Sequence, residues 1–353
     1  MPLSPRGFFI SKKFFTHYSS HTYRLVIFED YRVYKLNKAK KTYRECCKLH
    51  PSIPLFNQAW WLDAVCGDDN WNVVLAEKNE SVVGALPFIQ LKKGWFKIIS
   101  MPALTQTMGP WINYPVNTDE SSKLSFDKKV MSELITQLPP FDYFHQNFHF
   151  TLENWLPFFW QKFKQTTRYT YQLQNTSDLD LLWNELEKSA KKNINKAKSS
   201  GIEIEEFDDP TLFYKINALT FSNQNISVPY SKKLIASVYK ASVANNAGKM
   251  YLAKDRDGNI HSVGMIVYDT SHCYLILGSS DPALRKSGAE YLLYWNMIQF
   301  ASSNNLIFDF EGSMMENIEI RNRSFGAIQQ AYFSVTKSNS LLYNLNLILR
   351  GRT

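Results

Sequence analysis

Two carboxylates lie close together near the C-terminal end of the chain, in the segment Phe308-Asp309-Phe310-Glu311-Gly312. The apolar run 306–310 predicts a short buried strand, and the period of two along a strand would place Asp309 and Glu311 on one face. Mutual repulsion between two neighbouring carboxylates can raise the pKa of one of them, as a general base at neutral pH requires. We therefore predict Glu311 as the catalytic base, with Asp309 beside it as the second candidate.

A structural role for the same carboxylates is the alternative. They could hold the loop that follows the strand, or form ion pairs with Arg321 or Arg323. Ser313 and Glu316 have the spacing of a capping box, so we interpret Ser313 as a helix N-cap rather than as a nucleophile. The sequence leaves the catalytic and the structural interpretation of the carboxylate pair open.

A basic turn that contains a glycine, Asp281 to Ala289, lies between a predicted strand at 272–279 and a predicted helix at 287–303. Backbone N–H groups and the helix dipole at such a helix N-terminus can hold a pyrophosphate. Ser287 and Glu290 also have the spacing of a capping box, which would occupy the same N–H groups and place a negative charge near a phosphate. Both interpretations stay open. The residues predicted to contact the phosphates are Arg285, Lys286, Ser287, Gly288 and Ala289.

The loop 101–111 combines hydroxyl and amide side chains with Gly and Pro breaks among apolar residues. Loops that are held by a rigid scaffold often carry binding groups. We predict that Thr105, Gln106 and Gly109 contact the substrate. The alternative is that the segment is an ordered crossover between two elements.

A lysine ridge is a further candidate contact surface. Lys188, Lys192 and Lys196 recur every four residues on a predicted helix that ends at Gly201. Such a ridge is ordinarily a solvated helix face, but it could hold a sugar-nucleotide diphosphate or a tRNA. We predict the substrate contact at Lys192, together with Arg168 on the neighbouring strand.

The distribution of charge argues against nucleic-acid binding by the body of the protein. The formal net charge is +8, and residues 1–48 account for all of it, with 11 Lys and Arg against three acidic residues. The rest of the chain has 29 basic and 29 acidic side chains. Because a surface that reads phosphates needs a local excess of positive charge, we expect no DNA partner, and a tRNA partner only as an alternative. Residues 1–22 are interpreted as a flexible basic extension.

The spacing of cysteine and histidine predicts no metal site. The four cysteines fit neither a zinc site nor a disulfide framework, and four histidines, His145, His149, His261 and His272, show no metal or triad spacing. We predict a cytoplasmic protein without a transmembrane segment, since no run of eighteen apolar residues is found. The amphipathic helix predicted at 340–349 is expected to pack on the second domain, with peripheral membrane contact as the alternative.

A repeated hairpin organises the chain. Leu75-Ala76-Glu77 followed by Ser81-Val82-Val83-Gly84 recurs as Leu252-Ala253-Lys254 followed by His261-Ser262-Val263-Gly264. A helix is predicted before each copy, so the repeat indicates a duplicated unit. Together with the other predicted strands and helices, the duplication predicts an α/β protein of two similar units with mixed sheets.

The order of these motifs over residues 50–336 resembles the Fem-like branch of the GNAT superfamily, which includes peptidoglycan-bridge aminoacyltransferases and acetyltransferases of polysaccharide loci. The basic turn resembles the acyl-CoA-binding pattern of GNAT acetyltransferases, Arg/Gln-x-x-Gly-x-Gly/Ala, except that Glu290 occupies the last position. The other motifs that carry the resemblance are Phe56-Asn-Gln-Ala-Trp60-Trp61-Leu62, Val83-Gly84-Ala-Leu-Pro87, Arg168-Tyr-Thr-Tyr171, Lys191-Lys192-Asn-Ile-Asn-Lys196-Ala197, Phe308-Asp-Phe-Glu-Gly-Ser313 and Phe325-Gly326.

The resemblance implies two tandem GNAT-like domains, which we place at 23–165 and 166–353, the second holding the acyl donor. It also implies transfer of an acyl or aminoacyl group from an activated donor, with acyl-CoA as the expected co-substrate, to an amine on a sugar nucleotide or a cell-envelope glycan precursor. Two alternatives are a non-catalytic member that binds nucleotide sugars or carbohydrate, and a transferase that uses aminoacyl-tRNA. The sequence defines neither the acyl group, nor the acceptor, nor the oligomeric state.

Overall fold

The computed structural model describes residues 36–223, 226–312 and 314–349. The extension predicted over residues 1–22 and the predicted N-cap Ser313 lie outside these ranges. Within them, no helix is both long and apolar enough to cross a membrane.

Helices and strands alternate along the described chain, with short 3₁₀ turns at Leu55–Asn57, Asp68–Asn70 and Arg285–Ser287. The helices are α1 (36–49), α2 (Ala59–Cys66), α3 (Glu120–Gln137), α4 (Leu156–Trp160), α5 (Leu179–Glu185), α6 (Lys188–Ser199), α7 (Pro210–Ser222), α8 (Lys232–Ala244), α9 (Ala289–Ser303), α10 (Glu316–Arg323) and α11 (Leu341–Leu349). The strands are β1 (Trp71–Lys78), β2 (Ser81–Lys93), β3 (Phe96–Ser100), β4 (Trp111–Ile112), β5 (Tyr143–Asn147), β6 (Lys164–Leu173), β7 (Glu203–Phe207), β8 (Gly248–Lys254), β9 (Ile260–Tyr268), β10 (His272–Ser280), β11 (Ile307–Asp309) and β12 (Ile328–Ser338).

The strands form one continuous mixed sheet, which confirms the predicted α/β class. Its order is β1-β2-β3-β5-β12-β6-β11-β10-β9-β8-β7, and β4 pairs with β2 beside this path. The last strand, β12, lies between β5 and β6, antiparallel to both. A strand from the C-terminal end of the chain therefore joins the two halves, and the division into two domains at residue 165 stays a prediction.

The two halves repeat the same arrangement of elements. In each, a helix leads into an antiparallel hairpin and a third strand, and a second helix then leads to a strand parallel to the third: α2, β1, β2, β3, α3, β5 in the first half and α8, β8, β9, β10, α9, β11 in the second. Both hairpins contain a register shift just after an alanine, Ala76 in β1 and Ala253 in β8. The hairpin similarity in the sequence thus corresponds to a structural repeat.

One glycine in each hairpin allows the second helix of the unit to pack closely. A Cβ on Gly84 would lie 2.3 Å from Val130 Cγ1 on α3, and a Cβ on Gly264 would lie 2.4 Å from Met297 Cε on α9. Real Cβ atoms do not come this close to other heavy atoms, so a larger residue at either glycine would force the helix side chain that packs on it to move.

Helices cover both faces of the sheet. In the second half, α6 and α9 pack on one face and α7 and α8 on the other, and alternate residues of β8 point to the two sides. Tyr251 and Ala253 face α9, whereas Met250 and Leu252 face α7 and α8, as the period of two requires. In the first half α3 and α4 cover one face and α1 and α2 the other. Helix α2 also packs on α8, so the two halves share buried surface.

Two local predictions are wrong. Asn57 is predicted from the sequence as the N-cap of a helix at 57–66. It is not an N-cap, because α2 begins at Ala59; Asn57 is buried and its side chain donates to the Gly109 carbonyl at 3.0 Å. Helix α11 does not pack on the second half. Its Tyr343 ring contacts Phe96 and Tyr143, which belong to β3 and β5 of the first half. In both cases a contact with a segment distant in the sequence determined the outcome.

Phe308, at the centre of β11, is fully buried between α9 and the sheet. We expect Phe308→Ala to lower the free energy of unfolding by about 3–5 kcal/mol, because the cavity adds to the lost burial of the ring. Phe159→Ala is the matched control, since that ring is 54% exposed and its loss should cost about 1 kcal/mol or less. Urea unfolding measures both values, and equal losses would contradict the assigned core position of β11.

Candidate active site

The sheet opens between β10 and β11, and this opening forms the candidate site. The parallel pairing of these strands covers only His272–Tyr274 with Ile307–Asp309, although β10 continues to Ser280 along β9. Past Tyr274, β10 has no strand partner on the β11 side among the described residues. A register shift between Leu275 and Leu277 marks a bulge at the same point. Open sheet edges and bulges of this kind are common places for functional groups.

Two neighbouring cavities lie at this opening. The central cavity, of about 520 Å³, is lined from both halves of the chain and contains Glu311, and the turn cavity, of about 430 Å³, lies against the basic turn before α9. Thr220, Gly278 and Ser279 line both of them. A ligand held in one cavity can therefore reach a ligand held in the other across the end of β10.

The central cavity brings together residues predicted separately from the sequence. Thr105 and Gln106 reach it from the loop before β4, Arg168 from β6, and Glu311 from the end of β11. Gly109, which was predicted with them, is buried and does not line the cavity. The φ of Gly109 is +88°, and a Cβ there would lie 2.5 Å from the Phe148 ring, so its conformation serves packing.

Asp309 is a fully buried anchor behind the cavity. Its carboxylate accepts hydrogen bonds from the Thr170 hydroxyl, from Gln172 Nε2 at 2.8 Å and from the Glu311 backbone N–H at 2.7 Å. Burial raises the pKa of Asp309 to about 6, and the three donated hydrogen bonds limit that rise. Asp309 does not line the cavity, and its hydrogen bond with the Glu311 backbone N–H holds the turn that follows β11.

Glu311 turns away from the strand toward the central cavity. Strand β11 ends at Asp309, and both Glu311 and Gly312 have left-handed backbones, with φ of +57° and +59°. The predicted period of two therefore does not extend to Glu311. A Cβ on Gly312 would lie 2.3 Å from the Tyr169 carbonyl oxygen, so the turn requires glycine. The Glu311 carbonyl accepts from Gln106 Nε2, which ties the 101–111 loop to this turn.

The Glu311 carboxyl is buried, and its Oε1 atom has no hydrogen-bond partner in the described part of the chain. Burial, followed by repulsion from Asp309, raises the pKa of Glu311 well above its usual range. Burial rather than the predicted repulsion is the main cause. A carboxyl with these properties at a cavity wall is suited to accept a proton.

The alternative ion pairs of Asp309 and Glu311 with arginines are not formed. Arg321 Nη1 donates to Glu290 Oε1 at 2.9 Å, and Arg323 binds Glu187 and Glu319 instead. Neither arginine therefore pairs with the carboxylates at the end of β11.

The turn cavity forms around the N-terminus of α9. Gly288 has a φ of +81°, and a Cβ there would lie 2.4 Å from the Asn193 carbonyl oxygen on α6, so the turn passes close to that helix. Arg285 is exposed and lines the cavity with Gly288 and Tyr291. The side chain of Lys196 donates to the Lys286 carbonyl, which fixes the turn to α6. Of the predicted phosphate contacts, Arg285 and Gly288 line the cavity, whereas Lys286, Ser287 and Ala289 do not.

The predicted capping box between Ser287 and Glu290 is wrong. Glu290 binds Arg321 and accepts from the Tyr294 hydroxyl at 3.0 Å, and α9 begins after Gly288 without a side-chain cap. Arg321 thereby offsets the negative charge that Glu290 would present to a phosphate. Long-range pairing of Glu290 removes one competitor for the N–H groups of the first turn of α9, although the Ser287 hydroxyl accepts from the Ala289 N–H at 3.3 Å.

Ser287 instead belongs to a hydrogen-bonded chain that the histidine spacing did not reveal. His261 Nδ1 lies 2.9 Å from Ser287 Oγ, and His261 Nε2 lies 3.1 Å from Asp255 Oδ2. Hydrogen bonds from Asn259 and His261 lower the pKa of Asp255. Because Ser287 lines neither cavity, we interpret the chain as a tie between the basic turn and the β8–β9 hairpin.

Sequence reasoning missed several residues of the central cavity. Asn217 donates to Ser279 Oγ at 2.6 Å and accepts from the Tyr230 hydroxyl at 2.9 Å. Asn147 and Tyr332 lie on neighbouring strands of the same wall. No local pattern marks them, because they come from separate helices, strands and connecting segments. Lys192, which was predicted as a substrate contact, is exposed on α6 and lines neither cavity.

Comparisons with known proteins agree with this geometry. Residues 185–315 match the family model described as an acetyltransferase (GNAT) domain, a segment that includes β10, the basic turn, α9 and β11. The crystal structure of FemX is 12% identical, covers 81% of this chain and 95% of its own, and has a TM-score of 0.59. No curated protein sequence matches the chain.

Two further solved structures are similar. A conserved protein of unknown function from Bacteroides thetaiotaomicron VPI-5482 is 11% identical, with a TM-score of 0.51 over 83% of this chain and 96% of its own. The C-terminal domain of a putative lysylphosphatidylglycerol synthetase from Agrobacterium fabrum is 10% identical, with a TM-score of 0.50 over 79% of this chain and 87% of its own. At these identities the likeness shows the fold.

Residues 185–315 therefore match a GNAT acetyltransferase domain, and the fold of the chain is like that of FemX. The predicted fold is confirmed, and the domain match agrees with the predicted N-acyltransferase class.

The pH dependence of the free energy of unfolding tests whether the pKa of Glu311 is raised. A group whose pKa is raised by folding contributes most to stability at low pH and loses that contribution as the pH rises through the folded pKa. We expect Glu311→Gln, which resembles the protonated acid, to become increasingly more stable than the unaltered protein between pH 5 and pH 9. Urea unfolding across this range measures the difference.

The control for this measurement is Glu80→Gln, at an exposed glutamate in the β1–β2 turn. Its difference from the unaltered protein should not grow with pH in this range. A pH-independent difference for Glu311→Gln would contradict the raised pKa.

Proposed function

We propose that this protein transfers an acyl group from acyl-CoA to a primary amine on a sugar nucleotide or a glycan precursor. The observation that supports it most is the buried Oε1 atom of Glu311, which has no hydrogen-bond partner among the described residues, in a cavity that meets a second cavity at a basic, glycine-containing helix N-terminus. The first cavity suits the acceptor amine and the second suits the donor. Acyl-CoA is a cytoplasmic metabolite, so the proposal places the reaction in the cytoplasm.

The turn cavity fits the phosphates of the donor. Arg285 supplies positive charge at the cavity wall, and Gly288 lines the cavity where the absence of its side chain lets the turn pack against α6. The first N–H groups of α9 point out of the helix toward its N-terminus, where the dipole favours an anion. When bound, the donor would supply an acyl carbonyl activated by its thioester. Lys286 and Ala289 would then hold the turn rather than the ligand.

The central cavity fits a polar acceptor with many hydroxyl groups. Its lining includes the amides of Gln106, Asn147 and Asn217 and the hydroxyl groups of Thr105 and Tyr230. Asn147 Oδ1 is buried without a partner in the described residues, so it can accept from a ligand hydroxyl. Arg168 is exposed at the same wall and can bind an anionic group such as a phosphate. This set of groups is suited to an amino sugar that carries a phosphate.

Glu311 takes the proton that the acceptor amine must lose as its nitrogen attacks the acyl carbon. The new C–N bond replaces the C–S bond of the thioester, and CoA leaves as a thiol after its sulfur takes up a proton from solvent. Asp309 holds the Glu311 backbone N–H and keeps the left-handed turn in place. The Gln106 side chain fixes the same turn from the opposite half of the chain. The residues thus orient the base and hold the two substrates at neighbouring positions, and the mechanism uses no metal ion.

Glu311→Gln should lower kcat about 10²- to 10⁴-fold, because a positioned general base contributes a factor of this size. The assay measures release of free CoA thiol from acetyl-CoA and longer acyl-CoA in the presence of UDP-linked amino sugars. The affinity for acyl-CoA, measured by calorimetry, should not change. Full activity of Glu311→Gln would contradict the assigned base.

The pH profile separates Glu311 from its anchor. Activity should rise with pH through the raised pKa of Glu311, since the base must be ionised. Asp309→Asn removes the repulsion that contributes to this shift, so the rising limb should move to lower pH. An unchanged limb in Asp309→Asn would show that Asp309 does not influence the base.

Arg285→Ala should weaken acyl-CoA binding about tenfold, because one hydrogen bond or ion pair to a charged group contributes about 1.5 kcal/mol. Arg256→Ala is the matched control, since Arg256 is exposed and lies outside both cavities. Calorimetric titration measures both. Absence of acyl-CoA binding by the unaltered protein, with tRNA binding that falls steeply with salt, would favour an aminoacyl-tRNA donor instead.

A further inference from the structure

Helix α11 presents an uninterrupted aliphatic face to the solvent. Five of its nine residues are large aliphatics that are more than half exposed, and Leu341 reaches 87%. At 100° per residue they share one side of the helix. They are Leu341, Leu342, Leu345, Ile348 and Leu349. A contiguous exposed apolar surface of this kind marks an interaction site.

The opposite side of α11 is fixed to the body of the protein. Tyr343 is buried, with its ring centroid 5.1 Å from Phe96 on β3 and 5.0 Å from Tyr143 on β5. The Ser340 hydroxyl also accepts from the Tyr343 backbone N–H at 3.3 Å. The helix is therefore held with its aliphatic face outward.

The β2–β3 hairpin extends the same surface with an aromatic residue. Trp95, at the hairpin tip, is 83% exposed, and its ring is 6.1 Å from Phe96, the residue that contacts Tyr343. Tryptophan prefers the boundary between lipid headgroups and acyl chains, because its ring is apolar and its N–H is polar.

The charged side chains of the β2–β3 hairpin tip are lysines. Lys92, Lys93 and Lys97 are exposed on either side of Trp95, and the segments 90–98 and 339–353 contain no acidic residue. The acidic residue that contacts the hairpin, Asp142, accepts from the Lys97 backbone N–H at 2.8 Å. Exposed lysines beside an aliphatic face complement an anionic lipid surface. The apolar area and the positive charge each add to the free energy of binding.

We infer that α11 and the tip of the β2–β3 hairpin form a peripheral binding site for an anionic lipid bilayer. The nine residues of α11 span about 13 Å at 1.5 Å each, so the helix would lie in the interface rather than cross it. The leucines enter the acyl-chain boundary, Trp95 lies at the headgroup level and the lysines bind lipid phosphates. This inference does not depend on the proposed acyl transfer.

The test is co-sedimentation of the full chain with vesicles of phosphatidylcholine alone and of phosphatidylcholine with 30% phosphatidylglycerol. We expect binding to the anionic vesicles, weaker at high salt. The double variant Leu341→Asn with Leu345→Asn should lose binding at least tenfold, because both side chains leave the apolar face. Leu124→Asn is the matched control, since Leu124 is 57% exposed on α3, and it should bind normally.

A second pair of variants tests the charge. Lys92→Gln with Lys93→Gln should weaken binding to the anionic vesicles about tenfold or more and leave binding to neutral vesicles unchanged. The four substituted positions, which are Leu341, Leu345, Lys92 and Lys93, are exposed. Urea unfolding should therefore show that each variant is folded.

Three outcomes would overturn the inference. The full chain could fail to bind while a variant lacking residues 1–35 binds, which would mean that this segment covers the aliphatic face. The protein could be a dimer that the leucine variants dissociate, which would mean that a second copy covers it. Equal binding of the leucine variants and the unaltered protein to anionic vesicles would also contradict it.

Discussion

The candidate site depends on the early end of the pairing between β10 and β11. The strands are hydrogen-bonded in parallel only as far as Tyr274 and Asp309, whereas β10 runs on to Ser280. If β11 continued beside β10, backbone hydrogen bonds would fill the space that both cavities share. The left-handed turn at Glu311 and Gly312 prevents this by taking the chain out of the sheet. Local backbone geometry thus opens the sheet where the GNAT domain has its candidate chemistry.

The two carboxyls beside this opening show how one segment divides structural and chemical roles. Asp309 is buried with three hydrogen-bond donors, so its carboxylate is satisfied even though burial raises its pKa. Glu311 is half-buried, and its buried Oε1 atom has no hydrogen-bond partner among the residues that the structure describes, which costs stability. A buried polar group without a partner is unusual in a folded protein, and a functional site is where such a cost persists. The contrast supports Glu311 as the reacting group and Asp309 as its anchor.

The duplicated units explain why the site draws on both halves. Each unit ends in a parallel strand, β5 or β11, and the central strands β12 and β6 join these two ends into one sheet. The central cavity is lined from both of these ends and from the strands between them. Asn147 lies on β5, Arg168 and Tyr332 lie on the central strands, and Glu311 lies just after β11. The aliphatic surface of α11 also begins where β12 leaves the sheet. One continuous sheet therefore connects the wall of the central cavity to the exposed aliphatic face of α11.

The sequence by itself determined the local structure and the class of protein. Strand alternation, glycine and proline breaks, and the repeated hairpin predicted most helices and strands to within a few residues, because these patterns depend on neighbours a few positions apart. Motif order predicted the Fem-like GNAT fold, and the residue types at the end of β11 and in the basic turn predicted Glu311 and Arg285 as candidates.

Only the tertiary structure decided which polar groups are paired. The capping box failed because Glu290 binds Arg321, thirty-one positions later, and the Asn57 cap failed because Gly109 accepts its side chain. Asn147, Asn217 and Tyr230 entered the cavity through strand order and helix packing, with no local signal. Hydrogen bonding and burial act between groups close in space, and the folding of distant segments brings these groups together. The sequence could therefore name the candidate base, whereas the fold alone placed its carboxyl at a cavity wall, with one buried oxygen that has no partner within the described part of the chain.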